Sequence, residues 1–167
     1  SSLFVHYAYS MAIDINKKAI QLHKKLGGKI RITPAAPIKT RADLSLVYTP
    51  GVAAVSGLIA GTPRTPHPIA AQIKLAKEYT IKKRMIAVIS DGSAVLGLGN
   101  IGPYGALPVM EGKAALFKAF ADVDAFPIVL ATQNIDEIVQ TIINIAPAFG
   151  GINLEDFAAP HCFEIEE

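Results

Sequence analysis

Three places in this 167-residue chain put chemically useful side chains where local structure would sharpen them. Lys113 closes a stretch, residues 90–113, that reads Ser-Asp-Gly-Ser-Ala-Val-Leu-Gly-Leu-Gly-Asn-Ile-Gly-Pro-Tyr-Gly-Ala-Leu-Pro-Val-Met-Glu-Gly-Lys and holds five of the thirteen glycines before Met110. Gly112–Phe120 has the pattern of a helix burying Ala115, Leu116, Ala119 and Phe120, which places Lys113 in its first turn. The partial positive charge of a helix N-terminus, together with burial, favours a neutral amine, and a neutral amine is a base. Tyr48 precedes Thr49-Pro50, a helix start with Thr as the cap and Pro as the first helical residue, and Val52, Val55 and Ile59 continue one apolar face. The same field favours a phenolate there, so the tyrosine hydroxyl can act as a proton donor. Glu155 and Asp156 follow the short apolar run Ile152-Asn-Leu154. Adjacent carboxylates beyond the carboxyl end of a strand are hard oxygen donors of the kind a divalent cation takes. Each feature also has a plain reading: a surface lysine, a tyrosine packed as a hydrophobic staple, a solvated acid pair or a helix cap.

The surrounding elements must hold these groups. Met85-Ile-Ala-Val-Ile89 is a continuous apolar run ended by Asp91-Gly92, as expected of a strand buried on both faces in a parallel sheet. Ala125–Leu130 is a second such run, with Pro127 best placed near its start or on an unpaired side, and 152–154 is a third. Between the last two, Asn134 caps a helix with Asp136 and Glu137 in its first turn and an apolar stripe of Ile135, Ile138, Val139, Ile142 and Ile145, stopping at Pro147. This rhythm predicts an α/β fold with a small, mostly parallel sheet flanked by helices. Ile15, Ala19, Leu22 and Leu26 mark an amphipathic helix over 13–26 ended by Gly27-Gly28, with its lysines on a solvated face. The sheet is therefore preceded by a helical N-terminal segment, residues 1–28. Its apolar, aromatic start, Phe4–Met11, is a candidate for covering by another subunit. Residues 29–32 could add a short strand, 61–68 is a proline-broken connection with His67 as a loop histidine, and 74–83 is basic and partly helical.

Gly97-Leu-Gly-Asn-Ile-Gly102 matches G-x-G-x-x-G, the dinucleotide fingerprint, which requires a strand directly before it and a helix opening at its last glycine. The strand ends well before Gly97, Pro103 follows Gly102, and the expected helix begins about ten residues later. A substrate-side loop fits better.

The bulk composition narrows the function. Hydrophobic residues make up 51% of the chain and the net charge is only +2, which suits one globular domain and gives a nucleic-acid surface no support. No uninterrupted apolar run reaches the eighteen or so residues of a membrane span, and the first residues lack the pattern of a signal peptide. A cytoplasmic setting is the default expectation. The single cysteine, Cys162, agrees with a reducing compartment and reads as a partly buried small apolar residue.

Taken together, Leu46–Ala53, Ser90–Pro103, Leu107–Ala114, Val123–Ile128 and Gly150–Asp156 resemble, in order, the N-terminal domain of malic enzyme, above all its smaller prokaryotic form. The resemblance implies oxidative decarboxylation of L-malate to pyruvate and carbon dioxide with NAD or NADP and a Mg or Mn ion. It implies Lys113 as the general base at the C2 hydroxyl, Tyr48 as the proton donor to C3 of the enolpyruvate, and Glu155 and Asp156 as two acidic metal ligands. It also implies a homo-oligomer, a dimer first of all. The third acidic ligand and the nucleotide-binding domain are expected outside residues 1–167, so the segment by itself is expected to be inactive. Larger malic enzymes carry Glu-Arg after the Asp-Gly pair, the arginine binding a substrate carboxylate; here Ser93 and Ala94 stand there. The alternatives are a malolactic enzyme, taking malate to lactate and carbon dioxide, and a non-catalytic oligomerisation or regulatory module.

Overall fold

The computed structural model describes the backbone of residues 2–166 and the side chains of 14–162, 164 and 165. It divides into two compact units at Arg31/Ile32. The first is a single helix, α1 (Ser2–Leu26), longer at its start than the expected 13–26. It stops where Gly27, at φ +67°, donates its N–H to the His23 carbonyl, a left-handed cap that a residue with a Cβ resists. Lys17, Lys18, Lys24 and Lys25 are exposed as expected, and so are Ile15, Leu22 and Leu26 of the apolar stripe. The expectation that Phe4–Met11 is covered by another subunit falls on side chains outside the described ones.

Residues 29–32, which could have added a short strand, form none. Two short helices follow in the second unit, α2 (Arg41–Val47) and α3 (Gly51–Ala60). Thr40 and Asp43 form a reciprocal capping box on α2, each side chain accepting from the other's backbone N–H. A two-residue hairpin, β1 (Gly61–Thr62) and β2 (Thr65–Pro66), replaces the expected irregular connection. His67 anchors it, with Nδ1 3.1 Å from the Ile59 carbonyl. Then come α4 (Ile69–Tyr79), a 3₁₀ turn at 81–83, and β3 (Met85–Ser90). The next elements are α5 (Gly102–Ala121), β4 (Asp124–Val129), α6 (Ile135–Ile145), a 3₁₀ turn at 146–148, β5 (Gly151–Leu154) and α7 (His161–Glu166).

The sheet has the order β4-β3-β5 and is parallel throughout, with β3 in the centre. The position follows from composition: Ala87, Val88 and Ile89 have no exposed surface, and only a central strand buries both faces. Pro127 sits on β4, an edge strand of this sheet, where a missing N–H is tolerated. One face of the sheet packs Ala87 and Ile89 against Ile138, Ile142 and Ile145 of α6, with Phe157 and the half-buried Cys162 completing the cluster. Burying a side chain such as Ile89 or Ile138 in full contributes about 1.5–3 kcal/mol each. Asn134 caps α6 as read from the sequence, its Oδ1 accepting from Glu137 N–H at 3.1 Å. The other face lies under α5.

The loop from β3 to α5 turns on Gly92, at φ +70°, whose carbonyl accepts from both Ile101 N–H and Gly102 N–H. A Cβ at Gly92 would stand 2.2 Å from the Gly102 carbonyl oxygen. Gly92→Ala is therefore expected to cost more than about 2 kcal/mol, from strain and collision together, read as the shift in urea midpoint. An unshifted midpoint would contradict this account of the loop.

Candidate active site

Because all three strands run the same way, their carboxyl ends meet at one edge of the sheet, the place where open α/β sheets take ligands. Asp91 follows β3 and Glu155-Asp156 follow β5. Register decides where the acids face. Val88 pairs with Asn153, so side-chain alternation places Asn153 and Glu155 on the α5 face and Leu154 on the α6 face.

Lys113 lies in the middle of α5, not in a first turn. The helix begins at Gly102 with Pro103, read from the sequence as a break, in its first turn, and Pro108 lies within it. The field of a helix N-terminus is therefore not what acts on this lysine. What places it is helical periodicity. Ala106, Met110 and Ala114 form the buried stripe against the sheet, and Lys113, three residues after Met110, borders it. From there Lys113 Nζ reaches Glu155 Oε1 at 2.8 Å, with the two side chains 38% and 24% exposed. A pair this open contributes about 1 kcal/mol or less to stability, so its interest is positional.

Asp156 adopts φ +58°, a left-handed conformation that residues with a Cβ seldom take. The Glu155-Asp156 pair is no helix cap, since α7 starts only at His161. Burial first, and then the charge of Glu155, raise the Asp156 carboxyl above the ordinary aspartate value, against a lowering pull from Lys113. An acid whose charge is resisted by its surroundings is one that a cation would relieve. These hard oxygens suit a divalent Mg or Mn ion as part of its coordination shell. Among the described residues no group of three or more His, Cys, Asp or Glu side chains converges, so further donors must come from elsewhere.

Tyr48 stands apart from this cluster. It is the C-cap of α2, three residues before α3, and Pro50 rather than Thr49 is the N-cap of α3. The terminal fields of the two helices oppose one another there, so the one-sided dipole expected from the sequence does not hold. Nor is Tyr48 a packed staple: it is 65% exposed, and among the described residues no hydrogen bond or ion pair joins it to Lys113, Glu155 or Asp156. It lies in an uncovered apolar stretch with Leu44, Leu46, Val47, Val52, Val55 and Leu58. By composition Arg41–Ala60 reaches a mean hydropathy of 1.4 with none of it buried, although polar residues interrupt it and no apolar run within it nears eighteen residues. The break at Tyr48–Pro50 divides it into helices of 7 and 10 residues, each short of the roughly 20 that a bilayer crossing needs.

Three polar residues of the site region are given no role by the sequence. Asp91 is fully buried, its Oδ1 accepting from Ser93 N–H at 2.9 Å and its Oδ2 unpaired among the described residues. Asn153 Oδ1 is likewise buried and unpaired. Ser93 Oγ accepts from Ala158 N–H at 2.8 Å. Asn153 has a signal in its place between two apolar strand residues, Asp91 in closing a buried strand, and Ser93 only in standing where larger malic enzymes carry Glu-Arg.

The glycine loop is corrected in one respect. Gly102 does open a helix, as the dinucleotide fingerprint requires. The remaining mismatch is upstream: β3 ends at Ser90, and Gly97 and Gly99 lie on a projecting turn with open space where a Cβ would be. Val95, 4% exposed, anchors that turn through its N–H to the Gly99 carbonyl, and Leu96 and Leu98 point outward.

The family model described as malic enzyme, N-terminal domain, matches residues 27–167. This chain belongs to the malic enzyme family. It is 56% identical to an NAD-dependent malic enzyme of Geobacillus stearothermophilus over 155 residues, 93% of this chain and 30% of that protein. It is 50% identical to a bifunctional malic/malolactic enzyme of Bacillus subtilis (strain 168), also over 155 residues, 93% of this chain and 35% of that one. The crystal structure of an NAD-dependent malic enzyme from Thermotoga maritima superposes with a TM-score of 0.78 at 52% identity, covering 88% of this chain and 36% of that one. The chain thus spans about a third of the length of these malic enzymes. The family match contains Tyr48, Lys113, Glu155 and Asp156 and leaves out α1.

The raised Asp156 carboxyl has a thermodynamic sign. Above that raised value the buried charge costs stability; as pH falls through it toward 3.8, the ordinary value, the cost disappears. Asp156→Asn is expected to raise the thermal midpoint of the metal-free protein at pH 7, with the gain shrinking as pH falls through that window. A lowered midpoint at pH 7 would contradict the assignment.

Proposed function

We propose that this chain is the substrate- and metal-binding part of a malic enzyme that oxidises L-malate and decarboxylates the product to pyruvate. The observation that carries the reading is the Lys113–Glu155 pair: one basic nitrogen 2.8 Å from one acidic oxygen, beyond the carboxyl end of a parallel sheet, with a second acid adjacent. Once Glu155 turns to the cation and Lys113 is released from the pair as a neutral amine, its Nζ would accept the proton of the malate C2 hydroxyl; a nicotinamide nucleotide, when bound, would supply the hydride acceptor. Glu155 and Asp156 would hold the Mg or Mn ion. That ion, when bound, supplies Lewis-acid polarisation at the C2 oxygen and the adjacent carboxylate. Tyr48 returns a proton to C3 of the enolpyruvate after carbon dioxide leaves. For Tyr48 to do so, the exposed α2–α3 stretch must be covered so that its hydroxyl faces the substrate, and the uncovered apolar residues beside it support assembly as a homodimer.

Relatives named as NAD-dependent and as NADP-dependent both occur among those similar to this chain, so either nucleotide is compatible, bound mainly by residues outside 1–167. The segment by itself would accordingly lack turnover. A reducing, cytoplasmic setting suits the single unpaired Cys162. The similarity to a malic/malolactic enzyme supports a second reading, in which lactate rather than pyruvate leaves; analysis of the products from labelled malate separates the two.

In the full-length protein, Lys113→Ala is expected to lower kcat for malate oxidation about a hundredfold or more, with a much smaller change in the malate KM. Near-normal kcat would remove the base assignment. Loss of assembly with normal folding would favour the interaction module instead.

A further inference from the structure

The left-handed turn at Asp156 does not stand unaided. Upstream, Glu155 N–H continues the β5 ladder by donating to the Ile89 carbonyl at 2.9 Å. Downstream, two bonds reach across from the loop after β3. Ala94 N–H donates to the Asp156 carbonyl at 2.9 Å, and Ala158 N–H donates to Ser93 Oγ at 2.8 Å. Ser93 is itself held, because its N–H donates to Oδ1 of the fully buried Asp91. Residues 93 and 94 therefore grip the backbone on Asp156 and two residues beyond it, across 65 positions of sequence.

We propose that Ser93 is a positioning residue for the metal-binding acid pair, its hydroxyl fixing the backbone turn that aims the Asp156 carboxylate. This rests on the reading of Glu155 and Asp156 as cation ligands. A residue with a Cβ at φ +58° tends to relax toward negative φ, and relaxation there re-aims its side chain. Ser93→Ala removes the acceptor that Ala158 N–H uses and loosens that restraint. The fold survives the change, because Phe157, 8% exposed, stays in the α6-side core and Glu155 stays on the ladder. Ser93 and Ala94, which stand where larger malic enzymes carry Glu-Arg, thus form a staple on the acid-bearing segment.

The test is Mn²⁺ binding to the metal-free full-length protein, followed by the electron paramagnetic resonance signal of free Mn²⁺, with no substrate or nucleotide present. Ser93→Ala should weaken binding about tenfold, as the loss of an outer partner of a metal ligand does. Ser93→Thr, which keeps the hydroxyl, should bind as the parent does. Asn134→Ala, which removes the α6 cap far along the chain, serves as a stability control and should also bind as the parent does. Should Ser93→Ala not fold, Ser93→Cys, with its weaker acceptor, should show an intermediate loss. Unchanged binding by Ser93→Ala while Asp156→Asn abolishes it would overturn the positioning role and leave the metal reading standing. Equal weakening by Ser93→Ala and Asn134→Ala would reduce Ser93 to a structural contact. Unchanged binding by Asp156→Asn would remove the metal reading itself.

Discussion

Parallel pairing of β3 with both neighbours is the constraint on which the rest of this structure depends. Parallel strands end together, so a buried central strand with β4 on one side and β5 on the other must present Asp91 and Glu155-Asp156 at one edge. Parallel strands also require crossover helices, and α5 is the crossover from β3 to β4. Its buried stripe of Ala106, Met110 and Ala114 lies over the sheet, and Lys113, bordering that stripe, reaches the end of β5. Alternation along β5 puts Glu155 there. The 2.8 Å ion pair is thus a consequence of topology and two periodicities, 3.6 along the helix and 2 along the strand.

The same edge concentrates unfavourable terms. Asp156 carries a left-handed backbone and a carboxyl whose charge is opposed by burial and by Glu155, and Asp91 Oδ2 and Asn153 Oδ1 are buried without donors among the described residues. Leaving a buried acceptor unpaired costs about 1–3 kcal/mol. Such costs gather where a ligand is to supply the missing partner, and the α6 face, apolar and packed around Ile89 and Ile138, is what sustains them.

Much of this was legible in the sequence, for definite reasons. Met85–Ile89 is apolar without interruption, so its place as a buried parallel strand could be read directly, and Asn134 with Glu137 three residues on marked the start of α6 to the residue. Lys113, Glu155 and Asp156 stand out in the sequence and lie at one edge of the sheet, but the helix-terminus physics that the sequence suggests for the lysine does not apply. Pro103 masked the first ten residues of α5, and a helix-terminus argument was attached to a mid-helix residue. The surroundings of Tyr48 were misread similarly: α2 has seven residues, too short for a clear period, so the C-terminus just before Tyr48 went unseen. Ser93 is noticeable in the sequence only as a departure from larger malic enzymes; its contact is not legible there, because its partner Ala158 lies 65 residues away and uses only a backbone N–H. Long-range contacts of side chain to backbone leave no pattern of residue types.

The most direct measurement is a crystal structure of the full-length protein with Mn²⁺ and tartronate, a malate analogue that keeps the C2 hydroxyl. The account predicts Glu155 and Asp156 oxygens on the cation and Lys113 Nζ turned from Glu155 to within hydrogen-bond distance of the analogue's hydroxyl. A cation bound away from both acids, or a Lys113 still paired with Glu155 and remote from the bound analogue, would contradict it.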